Sequence, residues 1–318
     1  MRTAESVSPM HPDKICDRIS DAILDACLEQ DKNSRVAIET MGGHGIITIT
    51  GELTTTAYVD IRSIVIAMLG DKYGVQINVV KQSPEISSGV DTGGAGDQGI
   101  MIGYATSETK EQLPLEVVLA RSLNQFIYKL HPYDGKTQIT LDDNGKIDTA
   151  VASWQNVSTA ELNELVRSWG SDKPVKAKTV IRSNPAGDWN IGGFEADTGL
   201  TGRKLAVDNY GPTVPLGGGC FSGKDPSKVD RSAAYMARRI AVDYLEGRRA
   251  KEVFVRLAYA IGYDQPVEAT VIIDGASEPV GGYDLSPNGI IDFLNLRTPI
   301  YTKTAEYGHF GNNFVWDK

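Results

Sequence analysis

Three times along its 318 residues the chain repeats one order of hydrophobic periods, and that repetition constrains the fold most. Behind Pro12 a helical stripe runs through Ile15, Ile19, Ala22, Ile23 and Ala26. Further helices are expected over Pro114 to His131 and Pro226 to Glu246. Each opens on Pro, whose fixed φ suits a first helical turn. After each helix the period drops to two in an expected hairpin. The hairpins are RVAIETMGGHGIITITGEL, KTQITLDDNGKIDTAVASW and EVFVRLAYAIGYDQPVEATVIID. The second turns at Asn144-Gly145, a pair that takes the positive φ values of a tight turn. A second helix follows each hairpin, over 57–72, 158–169 and 287–296, and the middle one carries a capping box of Ser158 with Glu161. VQINVVK and KAKTVIRS close the first two units as strands.

The pattern predicts an α+β fold of three similar units, each a sheet covered by helices. The expected boundaries are 1–90, 91–190 and 191–318. With 41% hydrophobic and 23% charged residues, such a chain can bury a substantial core. Its net charge of −9 argues against a general nucleic-acid binder. Cys16, Cys27 and Cys220 are odd in number and lack C-x-x-C spacing, which suggests neither a disulfide framework nor a zinc site. The N-terminus shows no apolar targeting core and no long apolar run follows, so a soluble cytoplasmic protein is expected.

Three stretches carry candidate chemistry. GGGCFSGKD, Gly217 to Asp225, spells a phosphate-binding P-loop until its last letter, where Asp225 stands in place of Ser or Thr. Asp225 is the expected N-cap of the helix that opens on Pro226, and a carboxylate there repels phosphate. Lys224, Lys228 and Asp230 could instead face a metal-bridged polyphosphate; a capped helix with solvated lysines is the plain alternative. GAGDQG, Gly94 to Gly99, has dinucleotide-loop spacing but precedes a strand-like IMIGYAT, which excludes that reading. MHPDK puts His11 and Asp13 at a helix start, where the positive helix end favours a neutral imidazole and Asp13 could hold a metal or merely offset the dipole. Glu39 and Glu52 lie on opposite arms of the first hairpin, within reach of a metal or an amine, or simply solvated.

Taken together, ESVSPMHPDKICDRISDAILD, KQSPEISSGVD, GAGDQGIMIGYAT, DTGLTGRK, GGGCFSGKDPSKVDRSAAYMAR and YGHFG resemble the S-adenosylmethionine synthetase (methionine adenosyltransferase) family, in order and nearly end to end. The resemblance implies three domains related by pseudo-threefold symmetry and active sites between two subunits of a homodimer, or of a tetramer built from such dimers. It implies attack of the methionine sulfur on C5′ of ATP, then hydrolysis of the released triphosphate to pyrophosphate and phosphate. Mg²⁺ and K⁺ are the implied cofactors, with Asp13 and Asp230 as magnesium ligands and Glu39 as the potassium ligand. His11, Lys136 and Lys224 match catalytic positions. Asp134, Asp188, Trp189, Asp197, Arg203, Lys204 and Cys220 match the ATP site, where Trp189 takes a place usually held by Phe. Glu52, Gln82, Asp197 and Lys228 match methionine contacts.

The chain departs from the family at Met10, where Gly is usual, and at Cys220, where Ala is usual. Only Thr92 and Gly93 separate Asp91 from Gly94, where relatives carry a longer covering loop. That shortening implies an open site, tolerance of bulkier methionine analogues and weaker product inhibition. Two other classes fit the same residues less well: a non-catalytic subunit, which should have lost several of these charges, and a stand-alone tripolyphosphatase.

Overall fold

The structure, a computed structural model, describes residues 1–82 and 93–318. The first unit runs β1 (Arg2–Val7), α1 (Pro12–Gln30), β2 (Arg35–Gly43), β3 (Ile46–Thr54), α2 (Ile61–Leu69) and β4 (Gly74–Val80). The second runs β5 (Gly99–Thr106), α3 (Leu115–Leu130), β6 (Gly135–Leu141), β7 (Ile147–Trp154), α4 (Thr159–Gly170) and β8 (Val175–Ser183). The third runs β9 (Gly199–Leu200), α5 (Leu205–Asp208), α6 (Val229–Arg248), β10 (Glu252–Tyr259), β11 (Glu268–Ile273), β12 (Ala276–Pro279), α7 (Pro287–Phe293) and α8 (Tyr301–Thr304). The expected repeat of helix, hairpin, helix is thus present in every unit. Expectations resting on Asp91 and Thr92 lie outside the described residues.

Each unit gives its leading strand away. The sheet orders are β1-β6-β7-β8, β12-β11-β10-β5 and β4-β3-β2-β9. The first unit's β1 pairs antiparallel with β6 of the second, the second unit's β5 with β10 of the third, and the third unit's β9 with β2 of the first. The exchange is cyclic, so no sheet stays within one of the segments 1–90, 91–190 or 191–318.

One apolar core joins the first and third units and another fills the second. Strand alternation feeds them: on β2, Val36 and Ile38 are buried, while Ala37, Glu39 and Met41 face outward. On α1, Ile15, Ile19 and Ile23 form the buried stripe, and each contributes about 1.5–3 kcal/mol by leaving water. On α6, Ala233, Ala237 and Ala241 keep the helix close to β5, and a Cβ on Gly103 would come within 2.0 Å of the Ala237 carbonyl oxygen.

The helix starts need correction. Of the three helices expected to open on Pro, α1 alone does so; Pro114 is itself the N-cap residue before α3. The third helix begins at Val229 with Lys228 as N-cap, so Asp225 does not cap it. At α4 the Ser158 hydroxyl accepts from the Glu161 amide, but the Glu161 carboxylate lies 3.2 Å from His131 Nε2.

Candidate active site

Strand exchange builds the first cluster of functional groups. Val7, at the end of β1, sits opposite Lys136 on β6, and the chain then turns through Ser8 to His11 into α1. His11 is the N-cap of α1, and its Nδ1 accepts from the Asp13 amide at 3.2 Å. The ring is buried, and burial, with Lys204 and Lys136 nearby, lowers its pKa to about 3. It is therefore a neutral imidazole near pH 7, through desolvation and neighbouring cations more than through the helix end.

Around it lies a cavity of about 380 Å³ lined by His11, Asp134, Lys136, Ser153, Trp189 and Asp197, among others. Asp134 accepts from the Gly193 amide at 2.9 Å, and burial raises its pKa against that bond. Trp189 brings a flat aromatic face to the wall. Asp188 lines the same cavity, but its carboxylate is bound to the Thr159 amide at 2.8 Å and hydroxyl at 2.6 Å, fixing the start of α4.

Asp13 points from α1 to the β9 segment. It accepts from the Leu200 amide at 2.9 Å and from the Lys204 ammonium, with Arg203 at 3.8 Å. Burial opposes its charge, yet Lys204 and the Leu200 amide hold its pKa below the ordinary value.

A second cluster stands on the outward face of β2 and β3. Ala37 pairs with Glu52, so Glu39 and Glu52 share that face as diagonal neighbours. Surrounding protein raises the Glu39 pKa, opposed by Lys224 and reinforced by Glu52. Lys224 bonds Asp230 at 2.6 Å, and the Cys220 thiol lies 4.0 Å from Glu39. Gln82 donates its amide to the Thr54 hydroxyl at the end of β3.

The near-P-loop is laid along β2 as an extra edge. Ile38 donates to the Gly223 carbonyl, Asp225 donates to Val36, and Ala37 bridges Lys224. Gly223 has φ 81°, and any Cβ there would meet the Ile38 carbonyl oxygen at 2.0 Å. The loop amides are spent inside the protein: Gly219 on Asp230, Gly223 on Asp21 and Lys224 on Phe221. Asp225 accepts from Val36 at 2.6 Å and Ser227 at 2.9 Å and takes the Lys228 ammonium. The Gly219, Gly223 and Lys224 amides are therefore closed to phosphate.

The two clusters meet where Gly202 touches Cys220, since a Cβ on Gly202 would lie 2.4 Å from the Cys220 Cβ. Among the described residues no ion pair joins a charged side chain of one cluster to the other. Also among them, no three His, Cys, Asp or Glu side chains gather as a metal cage, and no helix is long and apolar enough to cross a membrane. Sequence reasoning missed Ser153, which faces the cavity opposite Lys136. Counting out from the Asn144-Gly145 turn pairs Lys136 with Ser153, so the register of the hairpin could have found it; the irregularity at Thr140/Leu141 stays at the turn end of the hairpin.

Comparison with known proteins matches all three segments to models of one family. Residues 1–84 match the S-adenosylmethionine synthetase N-terminal domain, 92–187 the central domain and 191–318 the C-terminal domain. A protein of Treponema denticola called S-adenosylmethionine synthase is 43% identical over 369 residues, covering 99% of this chain and 95% of the relative. Proteins of the same description from Pseudothermotoga lettingae and Petrotoga mobilis are 42% and 41% identical, with the same coverage. The alignment of 369 residues is longer than this chain of 318, so the relative carries segments that this chain lacks.

Proposed function

Because the chain belongs to the S-adenosylmethionine synthetase family, we propose how its own residues perform that synthesis. The enzyme, a methionine adenosyltransferase, makes S-adenosylmethionine from ATP and methionine. The observation that carries the residue assignment is the neutral His11, fixed by its Nδ1 bond at the mouth of a cavity shared with Asp134 and Lys136. With Nδ1 accepting from the Asp13 amide, the ring proton sits on Nε2. It is a donor for the ribose O5′ as the C5′–O5′ bond breaks and negative charge gathers on the departing triphosphate. Lys136 adds positive charge at the same place. Asp134 accepts from the ribose hydroxyls, and Trp189 stacks on adenine.

Arg203, Lys204 and Lys224 bind the triphosphate chain, and its hydrolysis to pyrophosphate and phosphate occurs in the same site. Glu52, Gln82, Asp197 and Lys228 bind methionine: carboxylates for its ammonium, Lys228 for its carboxylate. Cys220 lies at the edge of the ATP site.

Metal ions complete the charge balance. Asp13 and Asp230, each paired with a lysine, offer hard carboxylate oxygens, the donor type that suits Mg²⁺, and would hold it. Glu39 would hold K⁺. Bound there, the ions would neutralise phosphate charge.

Met41 and Ile46, on the sheet face that carries Glu39 and Glu52, expose 47% and 48% of their surface. This supports a homodimer in which each site draws on both subunits, acting in the cytoplasm. The deciding experiment incubates the protein with ATP and methionine and looks for a methionine-dependent sulfonium product. Triphosphate hydrolysis without that product would leave only a tripolyphosphatase; no turnover at all would leave a binding subunit. Sedimentation of the active species as a monomer would refute the shared site.

A further inference from the structure

Beneath the His11 cluster lies a set of buried charges that the reaction itself does not use. Lys14 is 0% exposed, Asp17 1% and Asp208 5%. The Lys14 ammonium donates to Asp208 Oδ2 at 2.6 Å and to Asp17 Oδ2 at 3.1 Å. The second oxygen of Asp17 accepts from the Gly202 amide at 2.8 Å. Asp208 closes the short helix α5, whose N-cap is Lys204, and its amide donates to the Lys204 carbonyl at 2.9 Å.

One cation on α1 therefore ties down both ends of the segment Gly202–Asp208. Arg203 and Lys204 project from between the two ties. On the same helix Asp13 directly precedes Lys14, and the N-cap His11 lies one turn before it. We propose that Lys14, Asp17 and Asp208 form a positioning clamp that sets Arg203 and Lys204 at a fixed distance from His11 and Asp13, in register with a triphosphate chain. The proposal rests on the triphosphate role given above to Arg203 and Lys204.

Stability alone is a poor reason for such a cluster, because desolvation of three charges offsets most of their attraction and apolar residues of similar size would serve as well. What the cluster supplies is direction. A charge-assisted bond from the Gly202 amide to Asp17 at one end and a buried ion pair at the other allow the backbone one placement, whereas apolar contacts would let a loop bearing two like charges drift apart. Beyond the clamp, the Thr201 hydroxyl bonds Ser20 at 2.8 Å and receives the Thr40 amide at 3.0 Å, so the stretch entering Gly202 is also held. None of the proposed methionine contacts, Glu52, Gln82, Asp197 and Lys228, lies on the clamped segment Gly202–Asp208.

The test compares ligands. Asp17→Ala removes the tie to Gly202, and calorimetry reads the affinity for inorganic tripolyphosphate while steady-state kinetics reads KM for ATP and for methionine. Tripolyphosphate affinity is expected to fall, and KM for ATP to rise, by about tenfold or more, with KM for methionine within about twofold. Asp17→Asn keeps an acceptor for the Gly202 amide and is expected to recover most of the loss. Should Asp17→Ala fail to fold, Asp208→Asn, which weakens the tie at the other end of the segment at nearly unchanged volume, should show a selective loss of the same kind. Equal losses for ATP and methionine, or unchanged tripolyphosphate affinity in a folded variant, would overturn the clamp. Arg203→Ala with Lys204→Ala separates the two levels: if that change also leaves tripolyphosphate affinity intact, the triphosphate reading itself falls and takes the clamp with it.

Discussion

The His11 cluster and the Glu39 cluster use similar residue types under opposite conditions. His11 and Asp13 are buried, and each bonds to backbone of its own or an exchanged segment. Glu39 and Glu52 stand on the outward face of a sheet, and Lys224 is close enough to Glu39 to oppose the rise of its pKa. The first cluster is preorganised by one chain, so its charges are set before substrate arrives. The second has its backbone fixed but its side chains open, which suits groups completed by substrate, ion or a facing subunit. Preorganisation should therefore govern rate in the first cluster and affinity in the second.

The largest expected effect tests the first half. His11→Ala and Lys136→Ala should each lower kcat for sulfonium formation by about 10²–10⁴-fold while circular dichroism stays native. Near-normal turnover in both would remove the distinction. Next, Glu52→Gln should raise KM for methionine by roughly tenfold and leave hydrolysis of added tripolyphosphate within about twofold, since a charge-assisted bond to the ammonium is lost and nothing on the phosphate side moves. A matching loss in hydrolysis would merge the two clusters into one.

Acid sensitivity sharpens the comparison further. The folded His11 pKa of about 3 lies below the ordinary imidazole value of 6.5, so as pH falls below 6.5 the unfolded chain takes up a proton that the folded chain refuses. Stability is then lost between pH 6.5 and about 3, at up to about 1.4 kcal/mol per pH unit for this residue. His309, buried and shifted well below its ordinary value, adds in the same direction. Denaturant titrations of His11→Gln at pH 6 and pH 4 should show a shallower decline than the parent. An identical slope would mean that His11 is not held neutral. The smallest effect belongs to Cys220→Ala, which should change stability by less than about 0.5 kcal/mol and turnover by less than about twofold. Its thiol is pushed up to about 11 by burial and then by Glu39, so it carries no charge to lose near neutral pH.

Much of this was legible in the residues, and the failures are as informative. The position of α1 followed from its apolar stripe and Pro12, and His11 and Asp13 came with it. The hairpins followed from alternation and turn chemistry. Reading Asp225 as a helix cap was wrong because the cap rule sees only neighbours in sequence. The carboxylate found the Val36 amide, 189 residues away, and the helix began three residues later than the proline suggested. The near-P-loop resembled a phosphate cradle in spacing, but the edge of β2 took up its backbone.

What the sequence determined by itself was local order and chemical inventory: three rounds of helix and hairpin, and long motifs specific enough to name a family. These depend on side-chain period and on turn residues a few positions apart. The tertiary structure alone decided the cyclic exchange of β1, β5 and β9 and the burial that, more than the helix end, holds His11 neutral. Strand pairing and burial are set by distant segments, and a one-residue shift in register sends every later side chain to the opposite face of its sheet.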